Sequence, residues 1–270
     1  MQENVIENMN NGQILDESFT DYLSNDAISS SDLKNFLEAP ALFKEGRKEK
    51  DSESTKAQEL GTAIHDVLLC GGEHTVLAKH LDLRKKADKE EYAELKFKYR
   101  SVVRGSDVDI IQGLKDSVEK NSPDFMSLVA GSEPERSFYA KCPATGMMLK
   151  ARPDLVNREK KAKLDLKTTT DPIKFINEAY RYKYYIQDAY HSYVMSLCGY
   201  DVDISGWFAV GKTAPYLQRL VLIDKGTQAE LKEHVINSLK DLKKALNSPN
   251  EEKIFSPRLE TLNFIFTEHI

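Results

Sequence analysis

Apolar and polar positions along this chain follow two periods, and the change from one to the other falls near Glu135. Upstream the spacing is helical. Leu33, Phe36 and Leu37 share one face behind the cap candidates Ser29, Ser30 and Ser31, and Pro40 marks the end. A second helix is predicted from about Ala57 to Cys70, with Leu60, Ile64, Val67 and Leu68 on one side and Gly71-Gly72 as its stop. From Leu83 to Lys120 the apolar residues are sparse among charges, which predicts one or two amphipathic helices. Beyond Glu135 the apolar residues alternate. Ser137 to Cys142, Met147 to Val156 and Ala162 to Lys167 read as three successive antiparallel strands, separated by turn signals at Pro143 to Gly146 and Asn157 to Lys161. Asp171-Pro172 is a helix start, and the pattern runs through Ile173, Ile186, Ala189 and Val194 to Cys198-Gly199 with a break near Tyr182 to Tyr185. Two further strands, Ile204 to Val210 and Leu217 to Ile223, precede a long helix marked by Leu231, Val235, Leu239, Leu242 and Leu246. Together these predict an α/β or α+β core: a central mixed sheet flanked by helices.

Charge changes that picture at one end. The net charge is −5, yet residues 1–33 hold seven carboxylates and no Lys or Arg, so the remaining body carries +2. Residues 1–27, rich in Asn, Asp, Glu and Ser, are expected to be a flexible or loosely docked acidic leader, with one domain over residues 28–270. A histone-like binder is excluded, whereas an enzyme that meets a polyanion at one focused site is compatible. Cys70, Cys142 and Cys198 lie far apart, so no iron-sulfur cluster or four-thiolate zinc site is expected. Without a long apolar run or a signal peptide, no membrane contact and a cytoplasmic location are expected.

The candidate chemistry sits in Arg152-Pro153-Asp154, followed eleven residues after the Asp by Asp165-Leu166-Lys167. On neighbouring strands the two carboxylates meet, and alternation puts Asp165 and Lys167 on one face. Such a set suits Mg²⁺, a hard cation that keeps waters and takes phosphate oxygens as its other ligands. Taken alone, the same triplet is also what a surface strand with alternating charge would show.

The chain resembles the PD-(D/E)XK nuclease superfamily, and within it the RecE-like, exonuclease VIII type of phage recombination exonuclease. The resemblance rests on Ile28 to Leu33 with Pro40 and Phe43, Gly61-Thr62-Ala63-Ile64-His65, Glu135 to Tyr139, Thr145-Gly146, Lys150 to Asp154, Asp165 to Thr169, and Tyr185 to Tyr190, in that order over roughly residues 28 to 224. It implies a restriction-endonuclease-like core in which Asp154, Asp165, Glu135 and His65 are metal ligands. Asp154, Asp165, Lys167, Glu135 and Gln187 would form the catalytic set. Ser31, Arg152, Thr168 and Gln187 would contact DNA. His65 and the Tyr-rich run from Tyr180 to Tyr193 also fit ordinary helix packing, and Ser31 fits a simple cap as well as a phosphate contact. One turn after Gln187, where the RecB-like branch usually has Tyr, this chain has His191, with Tyr190 one place earlier.

What the resemblance implies is a Mg²⁺-dependent deoxyribonuclease, with Mn²⁺ as a substitute, degrading linear double-stranded DNA 5′ to 3′. It would leave 3′ overhangs for recombination by strand annealing, in a bacterial or phage-infected cell. The implied partners are double-stranded DNA ends, further copies in a ring-like homo-oligomer such as a tetramer, and a RecT-type annealing protein. The rival readings are another RecB-like nuclease acting on single-stranded ends and a catalytically silent DNA-binding module of the same fold.

Overall fold

The computed structural model describes residues 5–9, 12–48 and 55–255. It begins with β1 (Val5–Met9), β2 (Gly12–Leu15), α1 (Phe19–Ser24), α2 (Ser30–Glu38), α3 (Pro40–Gly46) and α4 (Lys56–Leu69). There follow β3 (Thr75–Leu77), α5 (Lys86–Lys98), β4 (Ser101–Val103), α6 (Ser106–Asn121) and α7 (Pro123–Val129). The strand-rich half comprises β5 (Glu133–Pro134), β6 (Ser137–Lys141), β7 (Met148–Ala151), β8 (Leu155–Asn157) and β9 (Ala162–Thr169). The chain closes with α8 (Phe175–Arg181), α9 (Tyr184–Leu197), β10 (Ile204–Gly211), β11 (Gln218–Leu222), α10 (Lys225–Leu246) and α11 (Glu251–Ile254). This is the mixed α/β class the periodicity predicts.

The strand meander departs from expectation. The run Met147 to Val156 is two strands in two sheets. β7 lies in an antiparallel sheet of order β1-β2-β6-β7, and β8 lies in a mixed sheet of order β11-β10-β9-β8-β5, where β9 and β10 run parallel. Pro153 sits at the break, because a residue without an N–H cannot continue a ladder. The helical pattern after Asp171, by contrast, breaks where expected, between Arg181 and Tyr184. Asp171 caps a short 3-10 turn through Ile173 N and Lys174 N, α8 ends at Arg181, and Lys183 takes a left-handed φ of 52° before α9 starts.

The acidic leader is a correction as well. From Gly12 onward it is built into the fold: β2 pairs with β6 along Gly12 to Leu15, and Ile14 and Tyr22 are buried. Lys150 anchors the end of α1 by donating to the carbonyls of Tyr22 (2.8 Å) and Asn25 (2.5 Å), and Tyr139 donates to Glu17 at 2.7 Å. Its polar composition hid an edge strand and a short helix that are anchored by Ile14 and Tyr22, while Phe19 and Leu23 stay exposed. Residues 1–4, 10 and 11 of that leader lie outside the described residues.

Two apolar clusters flank the strands. One gathers Phe138, Leu149, Ile186, Tyr190, Val194, Val235, Leu239 and Leu33 between β6, β7 and helices α2, α9 and α10. The other joins Leu164, Leu166, Phe208 and Val210 to Ile64, Ile111, Leu114 and Phe125 of α4, α6 and α7. Burying both faces of the mixed sheet leaves the charged residues of β9 in a low-dielectric setting.

Candidate active site

Every residue of β9 from Ala162 to Leu166 is buried. The strand's two faces differ in kind: Leu164 and Leu166 enter the apolar cluster under α4 and α6, while Lys163, Asp165 and Lys167 alternate on the other face, toward α9. A surface strand is therefore ruled out. Asp165 is 0% exposed, and neither carboxylate oxygen has a hydrogen-bond partner. Burial works to raise its pKa, but the ammonium groups of Lys167 and Lys163 outweigh it and pull it down to about 2. Burial in turn works to lower Lys167, and Asp165 and Asp154 outweigh it, so Lys167 stays a cation. An ionised, desolvated carboxylate with free lone pairs is an acceptor waiting for a cation.

Asp154 occupies the seam between the sheets, one residue before β8. Its Oδ2 accepts the Leu166 N–H at 2.8 Å, which fixes it against β9 beside Asp165, and His65 Nδ1 of α4 stands 3.5 Å from the same oxygen. Burial raises the Asp154 carboxyl, with His65 and Lys167 opposing and Asp165 adding to the rise. Glu135 is joined to this seam through its backbone, whose N–H donates to the Asp154 carbonyl at 3.2 Å, and its φ of 52° is unusual for a residue with a side chain. Its carboxylate receives Arg100 at 2.8 Å on both oxygens and Arg152 at 3.3 Å. Although burial opposes them, these guanidinium groups hold it below the usual carboxylate range. His65, Glu135, Asp154, Thr168, Arg152 and Lys212 share the lining of one open cleft of about 480 Å³.

The fit to a divalent cation follows from these groups. Among the described residues no three His, Cys, Asp or Glu side chains form a ready-made cage. Mg²⁺ does not require one, since it uses one or two carboxylates plus waters and substrate oxygens. Asp165 with its orphaned buried oxygens and the adjoining Asp154 suit that demand. Glu135, held by two arginines, would act as a ligand only after exchanging those partners.

Other expected residues fall differently. The cap of α2 is Ser29, in a reciprocal pair with Asp32, whereas Ser31 is exposed at the second helical position. A capping role for Ser31 is thereby excluded. Arg152 is not free for DNA: its guanidinium donates to Ser137 Oγ at 2.7 Å and to the Glu17 carbonyl at 3.1 Å, and it is nearly buried. Its work is to brace Glu135. Gln187 lies half-buried on α9, and His191, one turn on, is fully buried with Nε2 3.4 Å from Ser30 Oγ and Nδ1 3.8 Å from Asp165 Oδ1. Burial pushes His191 down to about 3, so it stands neutral behind the carboxylate. Tyr190 instead donates to the Ile28 carbonyl and packs in the core. The basic run after Phe43 is largely paired: Lys44 with Glu251, Arg47 with Asp32 and Lys48 with Glu45, while Lys50 is outside the described residues.

Three groups near the site escape sequence reasoning. Lys163, 0% exposed, donates to Asp188 Oδ1 on α9 and lies 3.7 Å from Asp165 Oδ2. Lys34 of α2 approaches the Tyr184 ring at 5.8 Å, and Lys167 approaches the same ring at 4.9 Å. Burial, and then Lys167, lower Lys34 from the ordinary lysine range. The signal for Lys163 was in plain view, since it precedes Asp165 by two residues and so shares its face; nothing local marked Lys34 or Asp188.

A family model described as a PDDEXK-like domain of unknown function (DUF3799) matches residues 29–254. Among solved structures, a Eubacterium rectale protein named a "putative exonuclease" superposes with a TM-score of 0.59 at 15% identity, covering 85% of this chain and 86% of its own. At that identity the likeness shows the fold. A second structure, of SSO0001, covers 73% of this chain and 97% of its own at 17% identity, but its TM-score of 0.26 carries no argument. No curated protein matches.

Proposed function

We propose that this chain, which belongs to the PDDEXK-like domain family, is a divalent-metal-dependent deoxyribonuclease. The observation that carries the reading is Asp165: wholly buried, ionised, without a hydrogen bond at either oxygen, and set near Asp154 and the cation Lys167. A purely structural carboxylate in that position would be hydrogen-bonded, because a buried ion needs donors at its lone pairs as well as a nearby countercharge.

Asp165 and Asp154 would hold the cation, with His65 beside Asp154. When bound, Mg²⁺ would lower the pKa of a water molecule and neutralise charge on the phosphodiester. Lys167, kept protonated, positions the attacking water or a phosphate oxygen and stabilises the negative charge that develops on phosphorus. It is not a general base in this state. The Leu166 N–H holds the Asp154 carboxylate in place, and neutral His191 closes the space behind Asp165 without adding charge.

The finer reading is an exonuclease working 5′ to 3′ on linear double-stranded DNA to leave 3′ overhangs. A ring-like homo-oligomer and a RecT-type annealing protein as partner belong to the same proposal. It draws on the motif resemblance and on the fold shared with the Eubacterium rectale protein. The test is release of nucleotides from linear duplexes labelled at either 5′ end, in Mg²⁺ or Mn²⁺, beside covalently closed circles. Release of nucleotides from the linear form only, starting at the 5′ label, supports the reading. Equal loss of closed circles overturns the exonuclease assignment, and full activity in Asp165→Ala overturns the site.

A further inference from the structure

The Tyr-rich stretch that precedes α9 is not absorbed by packing. Tyr180 is 70% exposed, Tyr182 48% and Ile173 70%. These side chains are not scattered. The buried Phe175 ring stacks at 6.1 Å on Tyr184, and Tyr184 in turn lies 5.7 Å from the ring of Tyr182, forming a file of rings from core to surface. Its middle ring is the one that Lys167 approaches at 4.9 Å and Lys34 at 5.8 Å. At the outer end the Arg181 guanidinium lies 5.4 Å from the Tyr182 ring. Neither Lys34 nor Arg181 forms an ion pair among the described residues.

An ordinary exposed tyrosine needs no explanation, but this arrangement joins two recognition chemistries beside Lys167. The π-faces suit flat heteroaromatic groups, and the cations suit phosphates. Paired bases cannot use such rings because their faces are already stacked in the duplex; unpaired ones can. We propose that Tyr182 and Tyr184, with Lys34 and Arg181, form a platform on which bases of an unpaired DNA strand stack while the adjoining phosphate reaches Lys167. This rests on the nuclease reading for its choice of ligand, and it makes the substrate at the moment of cleavage a melted end. Charge complementarity and continuity with Lys167 favour a nucleic acid over a second protein surface.

The test uses the full chain in EDTA, so that binding is read without hydrolysis. The probe is a single-stranded oligonucleotide carrying 2-aminopurine near one end, whose fluorescence is quenched on stacking. The wild type quenches the probe, and Tyr182→Ala weakens binding by roughly 5- to 100-fold. Tyr182→Trp retains the quench, and Phe97→Ala, which removes a 92% exposed ring on α5, leaves it unchanged. Lys34→Gln reduces the slope of log affinity against log salt by about 0.7, the value for one phosphate contact on a single strand. Thermal unfolding checks that each variant is folded. No quench by the wild type, equal quench of the probe inside a duplex, or a Tyr182→Ala protein that binds normally but changes its oligomeric state would each overturn the platform. Nucleotide release without quench rejects the platform and leaves the nuclease standing. Quench without hydrolysis in any divalent metal does the reverse.

Discussion

Replacing Lys163 by Met should unsettle this protein more than any surface change, because it breaks an ion pair that has no access to water. Lys163 is 0% exposed and Asp188 1%, and the ammonium is shared between Asp188 and Asp165. Removing one partner of such a pair costs about 3–5 kcal/mol. For a chain of this size each kcal/mol corresponds to roughly 2–4 °C. The variant should therefore unfold roughly 6–20 °C below the wild type. Burial already raises the Asp188 carboxyl, and loss of the ammonium raises it further, so the variant can escape part of the cost by taking up a proton. A carboxyl raised on folding stabilises the folded state at low pH and ceases to do so as pH rises through its folded pKa. The deficit should accordingly be larger at pH 8 than at pH 5. Adding Asp188→Leu removes one of the two carboxylates that the ammonium served, and the double variant should recover part of the lost stability, as apolar replacements of buried pairs do. It should not recover nuclease activity, since Asp165 still lacks the ammonium 3.7 Å from its Oδ2. Melting in EDTA at both pH values, with nuclease rates on linear duplex, reads all of this. A single variant melting within 2 °C of the wild type would refute the reasoning, as would a double variant no more stable than the single.

Asp165→Asn should lower nuclease activity more than ~100-fold. It should also abolish the rise in melting temperature that Mg²⁺ gives the wild type, about 2.7 kcal/mol at a hundredfold excess over Kd; a remaining rise places the metal elsewhere. His191, lowered from 6.5 to about 3 by burial, contributes stability that is complete above its unfolded pKa and lost as pH falls toward 3. For this fully buried group the loss is on the order of 4 kcal/mol, so His191→Asn should flatten the acid limb of a stability–pH curve, and an unchanged limb would count against it. Deleting residues 1–25 should strip β2 and α1 from the core and lower the melting temperature sharply, whereas unchanged melting would mean that the docked segment contributes nothing. Ser31→Ala, at an exposed position that caps nothing, should leave melting unchanged while reducing any preference for 5′-phosphate over 5′-hydroxyl ends; an unchanged ratio of rates rejects the phosphate contact.

The helices were legible because their apolar stripes keep one period and their ends carry chemistry that can be read. Ser29, one of three cap candidates, caps α2, and that helix ends before Pro40, which the pattern marked as a stop and which also opens the unpredicted α3. The strands were legible as elements but not as sheets. Alternation says which residues share a face; it does not say which neighbour a strand bonds to, and the exchange at Pro153 turns one apparent strand into two. The leader was misread for a related reason. Glu17 and Asn25 look like solvated polar residues, yet their partners, Tyr139 and Lys150, lie more than a hundred residues away. Composition cannot report such pairings.

The candidate residues Asp154, Asp165 and Lys167 stand out in the sequence as a motif but their environment does not, and the two facts share a cause. Pattern reading equates alternating charge with solvent, which holds when one face of a strand is wet. Here α9 covers the charged face of β9, so Lys163, Asp165 and Asp188 are desolvated together and can persist only by neutralising one another. That arrangement keeps Asp165 ionised through Lys167 and Lys163 while leaving its oxygens without hydrogen-bond donors. A cation reaching Asp165 from the cleft beside Asp154 would replace an electrostatic contact with a ligand bond and would lose little to competing water. The same seam explains the proline. Because Pro153 ends one ladder before Asp154, the carboxylate that follows is spared a place in either sheet's interior and can turn to the Leu166 N–H. A residue able to continue the strand there would favour one flat sheet, in which Asp154 and His65 need not meet.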